Sequence, residues 1–228
     1  MKSHLITGAG SGIGAAIADL LHDRGDRLVL IARSASRGEE QAVRWPGSAV
    51  VVADLNDPEA TADALAKAWL PEALDSVVHS AGIGTMGRVS EVDPVAFTSV
   101  LAVNLVSPAV VTSACLPAVR RARGVVVFIN SGAGLSSGPG WSPYSASKFG
   151  LKALADSLRA EEQAHGVRVT TVYPGRTATP MQEALHAWEG TAYDPSRWIQ
   201  PGTVAKAVVN VIDVTPDAAI TDLTIRPR

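Results

Sequence analysis

The stretch LITGAGSGIG, residues 5–14, joins an apolar run to a helical pattern, and it decides the fold. Its glycines are Gly8, Gly10, Gly12 and Gly14. Glycine permits a tight turn and lets a pyrophosphate approach the backbone, while the helix that follows presents free N–H groups and the positive end of its dipole. A merely flexible glycine turn is the alternative. The position in the first strand–helix unit favours a dinucleotide site, although the spacing departs from the usual G-x-G-x-x-G.

Short apolar runs alternate with longer helical patterns along the rest of the chain. Strands are expected at 3–7, 27–31, 49–53, 76–79, 125–130, 167–173 and 220–225. Most of these runs are β-branched and apolar throughout, which is typical of strands buried on both faces of a parallel sheet. Helices are expected at about 12–24, 35–44, 58–70, 94–121, 143–165 and 202–213. The order predicts an α/β fold, a single-domain Rossmann fold over 1–228 with a doubly wound seven-stranded parallel sheet and helices on both faces.

The composition limits the classes of partner. Of the 228 residues, 46% are hydrophobic and 18% are charged, and the formal net charge is −2. This balance supports a sizeable core and gives no reason to expect nucleic acid or an anionic membrane as a partner. No uninterrupted apolar run approaches the roughly 20 residues of a membrane span. Since the first strand begins by Ser3, we expect no signal peptide and a cytoplasmic protein. The single cysteine, Cys115, lies in an apolar run and is expected to be a buried thiol.

The segment after the second strand bears on the choice of cofactor. An acidic residue there would bind the ribose 2′-hydroxyl of NAD. The sequence is LIARSASR, residues 30–37, which contains no acid. Arg33 could pair with a 2′-phosphate and stack on adenine, and Ser34 and Arg37 could add donors. The segment therefore favours NADP(H) over NAD(H), with NAD(H) still possible and a solvated loop arginine as the alternative for Arg33.

Two residues four apart in an expected helix could carry acid–base chemistry. Tyr144 and Lys148 lie on one helical face, and an ammonium near a phenol lowers the pKa of the phenol by stabilising the phenolate. The spacing alone arises by chance in roughly one such chain in fifteen, so context must decide. Ser131 supplies context because it follows an apolar strand, where open α/β sheets bind ligands. Its hydroxyl could donate to a substrate carbonyl, or it could be an ordinary turn serine.

Several motifs in chain order resemble the short-chain dehydrogenase/reductase family, in its single-domain branch. They are TGAGSGIG (7–14), HSAG (79–82), Asn104 in LAVNLVSP, Ser131, YSASK (144–148) and YPGRTATPM (173–181). The resemblance covers essentially the whole chain, and the motifs are specific as a set. Where the family often has an asparagine, this chain has His79, which is expected to be a hydrogen-bonded core residue.

The resemblance implies catalytic roles for four residues. Tyr144 would be the general acid or base, and Ser131 would orient and polarise the substrate oxygen. Lys148 would bind the nicotinamide ribose and lower the pKa of Tyr144. Asn104 would hold a water that links Lys148 to solvent. From the residues alone, Asn104 is interpreted as a helix-interior asparagine satisfied by the backbone.

The resemblance also implies a cofactor site along one edge of the sheet, and no metal is expected. The expected cofactor-binding residues are Gly8, Gly10, Ser11, Gly12, Ile13, Gly14, Arg33, Ser34, Asp54, Leu55, Ala81, Gly82, Tyr144, Lys148, Pro174, Gly175, Thr177 and Thr179. Asp54 could accept from an adenine amino group, whereas Asp57 is expected to cap the next helix.

The activity implied by the resemblance is NADP(H)-dependent hydride transfer between nicotinamide and a ketone, an aldehyde or a secondary alcohol. The alternatives are a non-catalytic NADP(H)-binding sensor or interaction protein on this fold, and an NAD(H)-dependent alcohol dehydrogenase. A homodimer or homotetramer is expected. The substrate should contact 132–141 and an irregular loop at about 176–201.

The substrate segments contain three tryptophans and two arginines of interest. Trp141, Trp188 and Trp198 could form an aromatic wall or could simply pack the loop onto the domain. No arginine that would fix a substrate carboxylate is evident, and Arg176 and Arg197 are only candidates.

Overall fold

Seven parallel strands form one sheet in the computed structural model, which describes residues 1–228. The strands are β1 (Ser3–Thr7), β2 (Arg27–Ala32), β3 (Ala49–Val52), β4 (Ser76–His79), β5 (Val125–Ile129), β6 (Arg168–Pro174) and β7 (Asp222–Ile225). Their order across the sheet is β3-β2-β1-β4-β5-β6-β7. This is the predicted doubly wound Rossmann fold, and every predicted strand is present with its ends shifted by two residues or fewer.

Eight α-helices cover the two faces of the sheet. They are α1 (Gly12–Asp23), α2 (Ala35–Arg44), α3 (Pro58–Lys67), α4 (Pro94–Leu101), α5 (Ser107–Ala122), α6 (Ser142–Glu162), α7 (Pro180–Glu189) and α8 (Pro201–Asp213). Helix α1 packs on α8, and α3 packs on α5. Proline stands in the first turn of six of these helices, where its fixed φ suits the helix and its missing N–H costs no bond.

Two apolar clusters, of 20 and 19 buried residues, hold the layers together. Neighbouring residues of β2 enter different clusters: Leu28 and Leu30 join one, and Val29 and Ile31 join the other. Because each central strand is covered on both faces, its sequence is apolar without alternation. The edge strands differ, and β3 leaves Val52 47% exposed.

The segment predicted as one helix at 94–121 is interrupted. Between α4 and α5 lies a π-helical segment, Ala102–Val106, which contains Asn104. Such segments often occur at functional sites. From Pro94 to Ala122 the helical stretch spans 29 residues with a mean hydropathy of 1.8 in its most apolar window, so by length and composition alone it could cross a membrane, contrary to the expectation from sequence. Core helices of soluble proteins share these properties, and α5 packs against α3, β4 and β5.

The stretch expected to be an irregular loop at about 176–201 contains α7, so that prediction is wrong in part. Thr179 caps α7 by accepting from the N–H of Gln182, and Pro180 occupies its first turn. Gly190 ends the helix at a φ of 66°, in the left-handed region that glycine tolerates. The helix therefore forms a structured wall after β6.

Candidate active site

A cleft of about 1270 Å³ runs along the carboxyl ends of the strands. It is centred on the junction of β1 and β4, where the strand order reverses, and this is where open α/β sheets bind ligands. All the expected site residues line the cleft except three. Gly14 packs against the Gly8 carbonyl, Ser34 caps a helix, and Asn104 is buried behind the wall.

The glycine-rich turn is fixed by close backbone contact with the end of β4. Gly8 has a φ of 72°, and a Cβ at this position would lie 2.5 Å from the backbone nitrogen of Ala81. The hydroxyl of Thr7 accepts hydrogen bonds from the N–H groups of Ser80 (3.2 Å) and Ala81 (3.1 Å). A Cβ at Gly14 would lie 2.3 Å from the Gly8 carbonyl oxygen, so α1 begins directly against the turn. Only glycine fits at Gly8 and Gly14.

The first turn of α1 offers a place for a phosphate. Ser11 precedes the helix in an extended conformation, and its side chain accepts no hydrogen bond from the first turn. A Cβ at Gly10 would meet nothing closer than 3.8 Å, so this glycine leaves open space beside the helix start. A glycine cradle in front of uncapped amide groups fits a dinucleotide pyrophosphate.

Arg33 places an unpaired positive charge at the far end of the cleft. Arg33 follows β2, is exposed, and has no ion-pair or hydrogen-bond partner. The other predicted donors are committed elsewhere, since Arg37 pairs with Glu40 at 2.5 Å and Ser34 accepts from the Arg37 N–H at 3.4 Å. A ribose 2′-phosphate at this end would therefore depend mainly on Arg33.

Asp54 and Leu55 line the cleft just after β3. Asp54 accepts from the N–H of Asn56 at 3.0 Å, and its outer face is exposed, so it can still accept from a second group. The Leu55 carbonyl accepts from Ser107 at 2.6 Å, which ties this loop to α5. Asp57 caps α3 through the Ala60 N–H at 2.9 Å, as predicted.

Ser131 and Tyr144 meet at the carboxyl end of β5. The Ser131 oxygen accepts from the N–H of Ala133 at 3.1 Å, which leaves its O–H free to donate. Burial raises the pKa of the Tyr144 phenol, and a hydrogen bond with Ser131 opposes that rise. Burial outweighs the stabilising contacts, so the pKa of Tyr144 is raised in this structure rather than lowered as expected.

Lys148 is 4% exposed, and its position is fixed from two sides. Its ammonium donates to the Ile129 carbonyl at 2.9 Å and lies 5.7 Å from the centre of the Tyr144 ring. Burial lowers the pKa of Lys148 to about 8, so the side chain is mostly charged at neutral pH. The cation thus lies beside the phenol ring, at the base of the cleft.

Asn104, in the π-helical segment, connects that segment to the loop after β4 and to helix α6. Its side-chain nitrogen donates to the Ile83 carbonyl (2.9 Å) and to the Ser147 hydroxyl (3.1 Å), and its oxygen accepts from the Ile83 N–H (2.9 Å). A Cβ at Gly82 would lie 3.4 Å from this oxygen and 3.9 Å from the Lys148 nitrogen. Both amide hydrogens of Asn104 are therefore bonded within the protein, one to the backbone and one to a side chain, so the prediction of an asparagine satisfied by the backbone is met in part.

Asn130 is a site residue that sequence reasoning missed. Its side chain donates to the Lys148 carbonyl at 3.0 Å and accepts from the Ser131 N–H at 2.8 Å. It is 4% exposed and joins the end of β5 to α6, which fixes Ser131 relative to Lys148. The sequence did contain a signal for this residue, because Asn130 is a polar residue at the end of an apolar strand.

The segment after β6 forms the wall opposite α1. The Gly175 N–H donates to the Ile225 carbonyl at 2.7 Å, which anchors Pro174 and Gly175 to β7. Thr177 donates to the Gly175 carbonyl at 3.0 Å, and the Thr179 methyl lies 3.0 Å from where a Cβ of Gly12 would be. This wall therefore reaches the start of α1.

The three tryptophans have different positions. Trp141 and Trp188 line the cleft, and the Trp141 ring lies 6.2 Å from that of Tyr144. Trp198 packs on His186 instead, with ring centres 5.3 Å apart, and does not line the cleft. The aromatic wall is therefore formed by two of the three.

Two arginines were candidates for binding a substrate carboxylate. One of them is bound to an acidic residue of the protein, and the other lies outside the cleft. Arg176 forms a two-bond ion pair with Glu189, at 2.8 and 2.5 Å. Arg197 is exposed and does not line the cleft. Arg176 therefore lines the cleft with its charge already paired, and Arg197 lies outside the cleft.

His79 and Cys115 are core residues, as predicted. A nitrogen of His79 bonds with the Thr112 hydroxyl at 2.8 Å, the ring stacks on Phe128, and burial lowers the pKa of His79 to about 3. Burial raises the pKa of the Cys115 thiol to about 12. Neither side chain is a candidate for acid–base or nucleophilic chemistry near neutral pH.

Comparison with known proteins agrees with this geometry. The family model described as short chain dehydrogenase matches residues 2–190. The chain is 36% identical over 201 residues to dehydrogenase/reductase SDR family member 7B of Bos taurus, which covers 83% of this chain and 62% of that relative, less than two thirds of its length. It is 29% identical over 229 residues to an uncharacterized oxidoreductase of Staphylococcus epidermidis, covering 99% of this chain and 97% of that one.

A solved structure resembles the chain over its full length. It is the alcohol dehydrogenase of the archaeon Thermococcus sibiricus, complexed with 5-hydroxy-NADP. The TM-score is 0.86 at 27% sequence identity, and the match covers 100% of this chain and 97% of that one. The likeness therefore includes the sheet, the helices and the strand ends that form the cleft.

Proposed function

The chain belongs to the short-chain dehydrogenase family, and from that premise we propose that it is an NADP(H)-dependent oxidoreductase that reduces a ketone or aldehyde or oxidises a secondary alcohol. The observation that carries the proposal is the presence of Ser131, Tyr144 and Lys148 in the lining of one cleft, with the Lys148 ammonium buried 5.7 Å from the Tyr144 ring centre. A bound nicotinamide coenzyme supplies or accepts the hydride.

Tyr144 is the proton donor of the proposed reduction. Burial raises the pKa of its phenol, so the neutral form predominates near neutral pH. The neutral form is the one that can give a proton to a carbonyl oxygen. Ser131, whose O–H faces Tyr144, can donate that hydrogen to the carbonyl oxygen of the substrate and so polarise the carbonyl and stabilise the charge that develops there.

Lys148 stabilises the phenolate that remains after proton transfer. Its charge lies beside the Tyr144 ring, in a site from which water is largely excluded, where charge interactions are stronger than in water. It is also a donor for ribose hydroxyls in the cleft. Asn104 acts as a positioning residue, because it holds the Ile83 backbone and the Ser147 hydroxyl on the two sides of Lys148.

The preference for NADP(H) rests on charge at the far end of the cleft. Arg33 has no partner within the protein, and no acidic residue follows β2 to repel a 2′-phosphate. The Thermococcus sibiricus alcohol dehydrogenase, which is similar to this chain, was solved with an NADP derivative, and this is consistent with the preference.

We also propose a homo-oligomer. Apolar side chains are exposed on α4, the π-helical segment and α6, among them Val95 (77%), Val106 (43%) and Phe149 (44%). A second copy of the chain would cover them. Light scattering at micromolar concentration should give the mass of a dimer or tetramer, whereas a monomer mass would refute this part of the proposal.

The function is tested by turnover. Purified protein is mixed with NADPH or NADH and with a panel of ketones and aldehydes, and the absorbance of the reduced coenzyme is followed. We expect oxidation of NADPH with at least one carbonyl, and a lower kcat/KM with NADH. Tight NADPH binding without turnover across the panel would instead favour a coenzyme-binding sensor.

A further inference from the structure

Arg226 follows β7, is exposed, and lies at the cleft next to Gly132. A Cβ at Gly132 would lie 2.8 Å from the Nη1 atom of Arg226, and Gly132 directly follows Ser131. The guanidinium therefore lies against the backbone of the residue that follows Ser131. Arg226 lines the cleft, and it makes no ion pair and no side-chain hydrogen bond.

The backbone around Arg226 is held by the sheet. Ile225 pairs with Pro174 in the β6–β7 register, and its carbonyl accepts from the Gly175 N–H at 2.7 Å. The next residue, Pro227, disfavours helical backbone at Arg226. A Cβ at Gly175 would lie 2.8 Å from the Pro227 ring, so the segment packs closely on the end of β6. The arginine is therefore presented from a fixed position.

Other charged residues of the cleft are paired or distant from Ser131. Arg176 is bound to Glu189, and the Lys148 ammonium is bound to the Ile129 carbonyl. Arg33, Arg37 and Asp54 belong to the far end, after β2 and β3, and Asp54 is the only acidic residue that lines the cleft. Arg226 is thus the one guanidinium of this part of the cleft without a partner, and no carboxylate of the protein that lines this part competes for it.

We propose that Arg226 binds the carboxylate of the substrate, so that the preferred substrates are 2- or 3-oxo acids, or the corresponding hydroxy acids. This inference deepens the proposed function and rests on it. A guanidinium holds a carboxylate through two parallel N–H···O bonds, and its place against Gly132, the residue after Ser131, suits a carboxylate near the reacting carbonyl. The remaining wall is apolar, with Trp141, Trp188 and Met181 in the lining, so it accepts the hydrocarbon part of such an acid.

The test compares acids with their neutral esters. The probes are acetoacetate, phenylpyruvate and their methyl esters, each assayed with NADPH on wild type, Arg226→Gln, Arg226→Lys and Arg197→Gln. The last variant removes an exposed arginine that does not line the cleft, so it controls for charge alone. We expect Arg226→Gln to lower kcat/KM for the acids roughly 10- to 100-fold, mainly through KM, and to leave the esters within about twofold. For the acids, the kcat/KM of Arg226→Lys should fall between those of wild type and Arg226→Gln. The kcat/KM of Arg197→Gln should match that of wild type.

Two outcomes overturn the inference and leave the proposed function standing. The first is that wild type turns over the esters in preference to the acids. The second is that wild type and Arg226→Gln show the same preference for the acids. If no probe is turned over, the proposed function fails for these carbonyls, and calorimetric binding of phenylpyruvate to the NADPH complex then decides the role of Arg226. Weaker binding by Arg226→Gln, with Arg197→Gln unchanged, supports the inference. Equal binding by wild type and Arg226→Gln, or no binding by wild type, overturns it.

Discussion

The ammonium of Lys148 lies 5.7 Å from the centre of the Tyr144 ring, and both side chains are less than a tenth exposed. Their burial has opposite effects on their pKa values, since it raises that of Tyr144 and lowers that of Lys148 to about 8. The shifts favour a neutral phenol and leave the ammonium less firmly protonated than usual. Burying this cation therefore lowers the stability of the protein at neutral pH. It also places a positive charge beside the proposed proton donor.

That loss of stability should depend on pH. The pKa of Lys148 is about 8 when folded and has its ordinary value of 10.5 when unfolded, so between these values the unfolded chain binds more protons. Stability then rises with pH across this window, by up to about 3 kcal/mol for this group. Urea unfolding of wild type and Lys148→Met between pH 7 and 10 should show wild type gaining on the variant above pH 8. A difference that does not change with pH would contradict the assignment.

The choice of coenzyme should depend on Arg33. Arg33→Gln should weaken NADPH binding roughly 10- to 100-fold and leave NADH binding nearly unchanged, because only NADPH carries the 2′-phosphate. Fluorescence titration of both coenzymes measures this. Arg37→Gln is the matched control, because Arg37 is paired with Glu40 and should affect both coenzymes little. Equal weakening of NADPH and NADH by Arg33→Gln would remove Arg33 from the phosphate site.

The glycine turn should tolerate no side chain at its first position. Gly8 and Gly25 both have a positive φ, 72° and 83°, so alanine at either one is strained by about 1–2 kcal/mol. Only at Gly8 would the new Cβ meet backbone, 2.5 Å from the Ala81 nitrogen, whereas nothing lies within 4 Å at Gly25. Gly8→Ala should therefore lower the melting temperature more than Gly25→Ala and should also abolish NADPH binding. Equal effects of the two substitutions would show that the contact with Ala81 does not matter.

The fold was predictable because its signals are local. Runs such as 125–129 are apolar throughout, and only strands covered on both faces need that pattern. The missed helix α7 also had local signals, since Thr179 and Pro180 form a typical helix start and Gly190 a typical end. Its Pro-, Gly- and Trp-rich surroundings obscured them. The π-helical segment at Asn104 had no such signal, because it depends on contacts with Ile83 and Ser147 that are distant in sequence.

The site was predictable in its residues and less so in its energetics. Tyr144 and Lys148 were found from a motif, but the direction of the phenol pKa depends on burial, which no spacing reveals. In the same way, Arg176 was a candidate from its position, and only the structure shows that Glu189 occupies it. Arg226 lies next to Gly132 only because β7 lies beside β6, a pairing of segments about 50 residues apart.

The hydroxyl of Tyr144 is the group on which the proposed chemistry depends, so one substitution tests it most directly. The measurement is kcat for the best carbonyl substrate with NADPH, in wild type, Tyr144→Phe and Tyr173→Phe, together with the Kd for NADPH. Tyr173 lies on β6 and does not line the cleft, so it controls for loss of a tyrosine hydroxyl elsewhere. We predict that Tyr144→Phe lowers kcat at least about 100-fold while NADPH still binds, and that Tyr173→Phe remains active. Full turnover by Tyr144→Phe would contradict the account.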